Sequence, residues 1–218
     1  MTTKKLYVSN SQESIRLFEN GFMEALSKVH FSVPLFIFVP VIGYLTYRGI
    51  ISGGLSALDY FAWTMLGFLA WTLTEYIMHR FIFHFEPKSD LGQKLHFIFH
   101  GIHHDYPCDR LRLVLPPSVS IPLATGFFFL FKSFIPFPGL FPFFASFLLG
   151  YLVYDMFHYA IHHLEVKGKL WNRLKTHHLK HHYVDPNKGF GVSSPLWDYI
   201  VRSDFEEQKS TKEVLQHH

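Results

Sequence analysis

The 218-residue chain has a single cysteine, and only 17% of its residues are charged. Cys108 alone cannot form an intramolecular disulfide, so the fold is not expected to depend on one. The sequence contains no dense basic patch, which excludes nucleic acid as an expected partner. The first thirty residues contain no apolar run of the kind found in a signal peptide. Any insertion into a membrane is therefore expected to use internal segments.

What the chain has instead is apolar sequence: 49% of its residues are hydrophobic, and 25 of them are Phe. This apolar sequence is concentrated in four runs, Phe31–Tyr47, Leu58–Met78, Val119–Phe131 and Leu140–Tyr154. As helices, the first two are long enough to cross a hydrocarbon core of about 30 Å. The last two are shorter, and either cross the membrane as a hairpin or dip into a single leaflet.

The positive charges predict how these runs are oriented. Of the 20 lysines and arginines, only Arg48 and Lys132 lie in the two short connections between runs. The positive-inside rule then places both termini and the long middle loop in the cytosol. The predicted fold is an all-α membrane protein with four transmembrane helices, or two and a shallow hairpin, and a cytosolic helical cap. The whole chain, 1–218, is predicted to be one domain, with 1–30 a cytosolic N-terminal segment and 204–218 a flexible tail.

Most of the 16 histidines fall in four tight groups along the chain. The groups are His79 and His84; His96, His100, His103 and His104; His158, His162 and His163; and His177, His178, His181 and His182. Residues three and four apart share one face of a helix, so the last three groups each direct several imidazoles the same way. His79 and His84 are five apart and can share a metal only if the helix ends or bends between them.

Such a concentration of imidazoles predicts a metal centre, since the rings would otherwise repel one another on protonation. Imidazole ligands without thiolates suit iron, zinc, copper or nickel, and ten or more of them imply two ions. Iron is expected if the site activates oxygen, although zinc can occupy the same positions in a purified sample. Glu75 lies four residues before His79, and Asp155 lies three before His158. Both carboxylates are therefore predicted to orient a ligand.

The sequence resembles a known family at these groups. HRFIFH (His79–His84), HGIHH (His100–His104) and HLKHH (His178–His182) are similar to the histidine boxes of the fatty acid hydroxylase/sterol desaturase superfamily. Two longer stretches, His100–Pro117 and Lys188–Ile200, resemble fatty acid 2-hydroxylases in particular. The resemblance implies a di-iron monooxygenase that uses O2 to hydroxylate C2 of fatty acyl chains, as in ceramides and other sphingolipids. It also implies the endoplasmic reticulum membrane, or the inner membrane of a bacterium.

The resemblance also implies roles for individual residues. Its metal ligands would be His79, His84, His100, His103, His104, His158, His162, His178, His181 and His182. Tyr154 and Asp155 resemble a pair important for activity in the family, and are predicted to be catalytic. His96, His163 and His177 match no ligand position and are expected to support the ligands from outside. Arg110 and Arg112 are candidates for holding a substrate carboxylate or headgroup, or for contacting lipid headgroups.

The expected partners are a lipid substrate and an electron donor. The substrate would be a fatty acid, an acyl-CoA or a ceramide. The cytochrome b5 domain with its His-Pro-Gly-Gly motif, present in fungal and animal relatives, is not found in this sequence, so a separate cytochrome b5 and its reductase are expected to supply electrons. Alternatives are a sterol desaturase or oxidase, a carotenoid hydroxylase, or a zinc transporter. A transporter, however, places its ligands near the middle of the membrane.

Overall fold

The computed structural model describes residues 5–205, and over that range it is all-helical, without a strand. The α-helices, α1 to α9 in chain order, are Gly21–Leu26, Val33–Ile51, Ala57–Ile77, Asp90–His96, Ile102–Asp105, Pro117–Lys132, Leu140–His163, Lys169–Tyr183 and Leu196–Val201. Two π-helical segments, Met78–Phe83 and Phe97–Gly101, directly follow α3 and α4. The predicted all-α class is confirmed. Of the predicted tail, only Asp204 and Phe205 belong to the described residues.

Two described helices, α2 and α7, are long and apolar enough to cross a membrane, and α6 is a shorter apolar helix. Proline fits the start of a helix because its missing N–H has no helical partner there, and it stands in the first turn of both α2 and α6. The apolar run predicted from 58 to 78 forms the 21-residue helix α3. The number of spans and the side on which the termini lie remain predictions.

By its internal contacts the chain divides into two compact units. The apolar unit comprises Arg16–Leu73 and Val114–Met156. Its core is aromatic: the Trp71 ring lies 5.3 Å from that of Phe147 and 5.5 Å from that of Tyr151, and Phe131 packs edge-on against Phe143 at 4.8 Å. Aromatic pairs in such edge-to-face arrangements add to the stability that burial alone supplies.

Two glycines bring α3 and α7 close together within the apolar unit. A Cβ atom on Gly67 would lie 2.0 Å from the Phe143 carbonyl oxygen, and one on Gly150 would lie 2.6 Å from the Trp71 side chain. Neither position has room for a larger residue. Small residues at helix crossings allow the close backbone approach that apolar helices need when they pack in lipid.

The histidine unit comprises the N-terminal segment to Ile15, Thr74–Leu113 and the chain from Phe157. Its N-terminal segment is fixed by backbone and ring contacts. The N–H groups of Val8 and Ser9 both donate to the Asp105 carbonyl, at 2.9 and 3.0 Å, and Tyr7 packs edge-on against Tyr183. This unit contains the histidine groups, and several of their rings are its most deeply buried side chains.

Candidate metal centre

Ten histidines form two adjoining clusters in the histidine unit. The first cluster is His79, His84, His100, His104 and His181, and the second cluster is His103, His158, His162, His178 and His182. Within each cluster the candidate ligand nitrogens all lie within 4.8 Å of one another. These are the ten residues that the sequence proposed as ligands. The structure brings all ten together and divides them into two equal sets.

A π-helical turn brings His79 and His84 into the same cluster. The segment Met78–Phe83 is wound with wider turns than an α-helix, and the His84 N–H donates to the His79 carbonyl at 3.2 Å. A bond from residue i+5 to residue i places these residues one above the other, and such turns occur often at functional sites. The two rings are 5.1 Å apart. This π turn is the bend that the five-residue spacing of His79 and His84 required if both were to share a metal.

Two histidine triplets, one in the segment His100–His104 and one in His178–His182, each contribute to both clusters. His100 and His104, four residues apart, belong to the first cluster, whereas His103 belongs to the second. In α8 the pattern is reversed: His178 and His182 serve the second cluster, and His181 the first. Residues at i+3 and i+4 lie about 100° apart around a helix, so the two rings reach to different sides. This exchange links the clusters through the segment His100–His104 and through α8.

The spacing of the ring nitrogens fits a metal ion in each cluster. Nε2 atoms face one another at 2.9 Å between His100 and His104 and at 3.0 Å between His84 and His181. In the second cluster the corresponding distance is 2.8 Å between His103 and His158. Ligands about 2.1 Å from one ion and at right angles to each other would be about 3.0 Å apart. The Nε2 atom of His79 is buried without a hydrogen-bond partner among the described residues, as a metal-binding lone pair would be.

Burial keeps the imidazoles neutral, which is the form that binds metals. It lowers the pKa of His79 to about 4 and that of His103 to about 3. The pKa of His84 falls to about 2, first because of burial and then because of the neighbouring histidines. Neutral rings present a lone pair to a cation without first losing a proton. The site is therefore ready to bind metal at neutral pH.

Two backbone carbonyls orient candidate ligands of the first cluster. The Nδ1–H of His79 donates to the Phe190 carbonyl at 2.5 Å, and that of His181 donates to the Lys188 carbonyl at 2.8 Å. The sequence predicted that Glu75 would orient His79; instead, the Glu75 carboxylate accepts the N–H groups of Val192 and Ser193. Sequence reasoning missed these carbonyls because backbone groups leave no residue signature. The only available signal was the motif Lys188–Ile200.

The other three histidines of the four sequence groups, His96, His163 and His177, lie outside the clusters. His177 lies between two carboxylates, with Nε2 3.2 Å from Asp198 and Nδ1 3.3 Å from Asp204. The ring of His163 packs against Tyr159 at 4.6 Å. His96 is partly exposed and lines a groove.

The other predicted residues are placed as follows. Tyr154 and Asp155 lie in α7 and are buried, with the Tyr154 ring 5.9 Å from Trp71 in the apolar unit. Arg112 is buried in the histidine unit with its guanidinium 3.7 Å from the Asp109 carboxylate, whereas Arg110 is exposed. Of the two arginines, Arg110 is the one accessible to a headgroup.

An apolar groove of about 280 Å³ lies beside the first cluster. It is lined by Ile82, Phe83, Phe85, Pro87, Gly92, Leu95, His96 and Phe99. Phe83 connects the groove to the cluster, because its ring stacks on that of His100 at 5.2 Å. Ile82, Phe85 and Leu95 are about half exposed, so the groove opens at the surface of the unit.

The family model described as fatty acid hydroxylase matches residues 64–203. The chain belongs to the fatty acid hydroxylase family. The hydroxylase is 38% identical over 192 residues to a dihydroceramide fatty acyl 2-hydroxylase of Arabidopsis thaliana, covering 87% of this chain and 80% of that protein. It is 42% identical over 220 residues to a human fatty acid 2-hydroxylase, covering 91% of this chain but 59% of the human protein.

A solved structure gives the same result for the fold. Full-length scs7p, in which only the hydroxylase domain is visible, superposes with a TM-score of 0.81 at 35% identity, over 88% of this hydroxylase and 73% of that chain. Family membership makes this chain an oxidoreductase. The sequence-based prediction of a fatty acid hydroxylase is thereby confirmed.

Proposed function

We propose that this hydroxylase inserts one oxygen atom of O2 at C2 of a fatty acyl chain. The acyl chain would belong to a ceramide or to a precursor of a ceramide. The observation that carries the proposal is the pair of adjoining five-histidine clusters with neutral rings. Iron bound there would supply the activation of O2, which no protein side chain performs. The named activities of the relatives, dihydroceramide fatty acyl 2-hydroxylase and fatty acid 2-hydroxylase, support C2 as the position.

The overall reaction balances with one oxygen donor and one electron donor. The C2–H bond breaks, a C2–OH bond forms, and the second oxygen atom leaves as water. Two electrons and two protons are consumed. We propose a separate cytochrome b5 with its reductase as the source of the electrons.

The chain's own residues would bind the substrate and keep the ligands in place. The groove beside the first cluster is apolar, so it can hold methylene groups away from water. An acyl chain in contact with Phe83 would lie one ring away from His100. Arg110 is exposed and could pair with a carboxylate or a polar headgroup. Tyr154 and Asp155 are proposed as further residues needed for turnover.

The proposed location is the endoplasmic reticulum membrane, or the inner membrane in a bacterium. Two apolar helices, α2 and α7, support membrane insertion. With α3 and α6 as further spans, four helices would cross the bilayer, and the charge pattern would place the termini and the clusters in the cytosol.

The test is lipid analysis in cells that lack 2-hydroxylase activity. Wild-type chain should restore 2-hydroxy acyl chains in sphingolipids, measured by mass spectrometry, and the double variant His103→Ala/His104→Ala should not, because it removes one ligand from each cluster. His30→Ala is the matched control, since His30 is exposed and bonded to Ser32 outside the clusters. Altered sterols with unchanged sphingolipids would refute the proposal.

A further inference from the structure

A short segment beside the first cluster, residues 188–193, has an unusual set of hydrogen bonds. We call it the strap. Two of its carbonyls, those of Lys188 and Phe190, accept the Nδ1–H groups of His181 and His79. A carbonyl can only accept, so each of these rings must carry its proton on Nδ1. The Nε2 lone pair of each ring is then left for a metal ion.

Two buried carboxylates hold the strap from the opposite side. Asp198 accepts the Phe190 N–H at 3.0 Å and the Gly191 N–H at 2.7 Å. Glu75 accepts the Val192 N–H at 2.7 Å and the Ser193 N–H at 2.8 Å. Four consecutive backbone N–H groups thus donate to two side chains that are 0% and 4% exposed. A buried N–H group without an acceptor is costly, so these four hydrogen bonds fix the path of the strap.

The strap also has its own local supports. Gly189 has φ +70°, a conformation that L side chains rarely adopt, and its N–H donates to the Ser203 carbonyl at 2.9 Å. The Ser203 hydroxyl in turn donates to Asp198 at 2.7 Å. His177 lies 3.2 Å from the same carboxylate. Asp198 is therefore the centre of a hydrogen-bond network that includes the strap, Ser203 and His177.

Both rings that donate to the strap carbonyls, His79 and His181, belong to the first cluster. In the second cluster, the Nδ1 atoms of His103, His178 and His182 are buried and have no hydrogen-bond partner among the described residues. The strap therefore acts on the first cluster. We infer that Glu75 and Asp198 are positioning residues for the metal ion of the first cluster, acting through the strap carbonyls. The inference rests on the proposed binding of one ion by each cluster.

The two carboxylates should respond differently to isosteric change. Glu75→Gln keeps one oxygen to accept both the Val192 and Ser193 N–H groups, and its NH2 can donate to the Ser193 hydroxyl, the partner of the other carboxylate oxygen. Asp198→Asn must turn an NH2 group toward either the Phe190 or the Gly191 N–H. We therefore expect Glu75→Gln to resemble the wild type, and Glu75→Ala and Asp198→Asn to disturb the strap.

The experiment measures metal binding by the full chain in detergent. Zinc per chain is counted by mass spectrometry during challenge with a chelator, and cobalt substitution gives each cluster a visible spectrum. In Glu75→Ala and Asp198→Asn, one of two ions should be released roughly 10- to 100-fold faster. The spectrum should then match that of His79→Ala, which damages the first cluster, rather than that of His158→Ala. Glu75→Gln and the exposed-carboxylate control Glu86→Ala should keep both ions.

The outcomes separate the strap from a general effect on folding. Equal release rates in the wild type and Glu75→Ala would overturn the inference. So would parallel loss of both ions, and so would a Glu75→Gln variant as damaged as Glu75→Ala. Because no substrate is present, two firmly bound ions without any 2-hydroxylation in cells would refute the proposed function and leave the strap's role intact.

Discussion

Each cluster consists of five histidines, but the two clusters are built differently. In the second cluster all five rings are fully buried, and four of them come as i, i+4 pairs on the regular helices α7 and α8. In the first cluster two rings are partly exposed. Its rings come from the π-helical segment Met78–Phe83 and the residue that ends it, from the π-helical segment Phe97–Gly101, and from α5 and α8.

This difference shows two ways of holding a ligand set. A regular helix fixes i, i+4 ligands through its own backbone hydrogen bonds. The first cluster has less support of this kind, since His79 and His84 depend on a π turn, and two of its ligands also depend on outside carbonyls. We expect the second cluster to hold its ion in a rigid site and the first cluster to hold its ion in an adjustable one. The first cluster is also the one beside the apolar groove.

The strongest test removes one ligand from each cluster. His104 and His182 stack at 4.3 Å but belong to different clusters. His104→Ala and His182→Ala should each lower 2-hydroxylation by roughly 100-fold or more, because both ions are needed while each variant weakens only one. Product formation and metal content per chain are measured together. If either variant kept its turnover, the clusters would work independently.

The rate of metal removal compares the clusters directly. A chelator should remove the two ions from the wild type in two phases. The faster phase, by about tenfold, should belong to the first cluster because His84 and His104 are partly exposed and the second cluster is closed. The assignment is made with His84→Ala, which should eliminate the fast phase. A single phase for both ions would contradict the proposed difference in rigidity.

Acid should destabilise the metal-free protein through rings of both clusters. Burial lowers the pKa of His79 to about 4 and that of His103 to about 3, whereas an unfolded histidine titrates near 6.5. As the pH falls below 6.5, the unfolded chain takes up protons that the folded rings do not, so the free energy of unfolding falls. Each such ring costs about 1.4 kcal/mol per pH unit in this window.

The measurement is thermal unfolding of the chelator-treated chain at pH 7.5, 6.5 and 5.5. The melting temperature should change little between the first two values and fall clearly at the third. His79→Gln and His103→Gln each remove one such ring, and each should reduce the pH dependence. A melting temperature independent of pH would mean that these rings are not neutral by burial.

The ligand set was the most predictable part of the molecule. The spacing of the histidines was enough to group them, and motif resemblance was enough to select all ten that the structure brings together. The division into two clusters was not predictable from spacing, because the motifs HGIHH and HLKHH do not say which neighbouring segment each ring will face. Only the approach of separate segments decides that His103 and His181 exchange clusters.

Long-range contacts account for what the sequence left unpredicted. Glu75 was predicted from its helical spacing to orient His79, but it accepts the N–H groups of strap residues that lie 117 and 118 positions away. Asp198 was not predicted at all, since a single acid in a helix as short as α9 forms no periodic pattern. The all-α class and the apolar runs followed from composition and periodicity, which are local properties.

The groove gives a smaller and more specific test of the first cluster. Leu95 lines the groove, whereas Leu91, four residues earlier in α4, does not and is 69% exposed. Leu95→Arg should raise KM for the acyl substrate by about tenfold without loss of metal, because it places a charge where methylene groups would bind. Leu91→Arg adds the same charge outside the groove and should have little effect. Equal KM values for the two variants would remove the groove from the substrate path.

The smallest expected effect concerns Arg110 and Arg112, the two arginines that follow the His100–His104 triplet. Arg110 is exposed, so its contact with an anionic substrate would be screened by water, and Arg110→Ala should raise KM by up to about fivefold at low salt. Arg112 is buried beside Asp109, a carboxylate that also accepts the Leu111 N–H and the Ser14 hydroxyl. Arg112→Ala should therefore lower the melting temperature, because it leaves Asp109 without its buried counter-charge. If Arg112→Ala changed KM while leaving the melting temperature unaltered, the roles of the two arginines would be reversed, and the substrate headgroup would bind inside the histidine unit rather than at its surface.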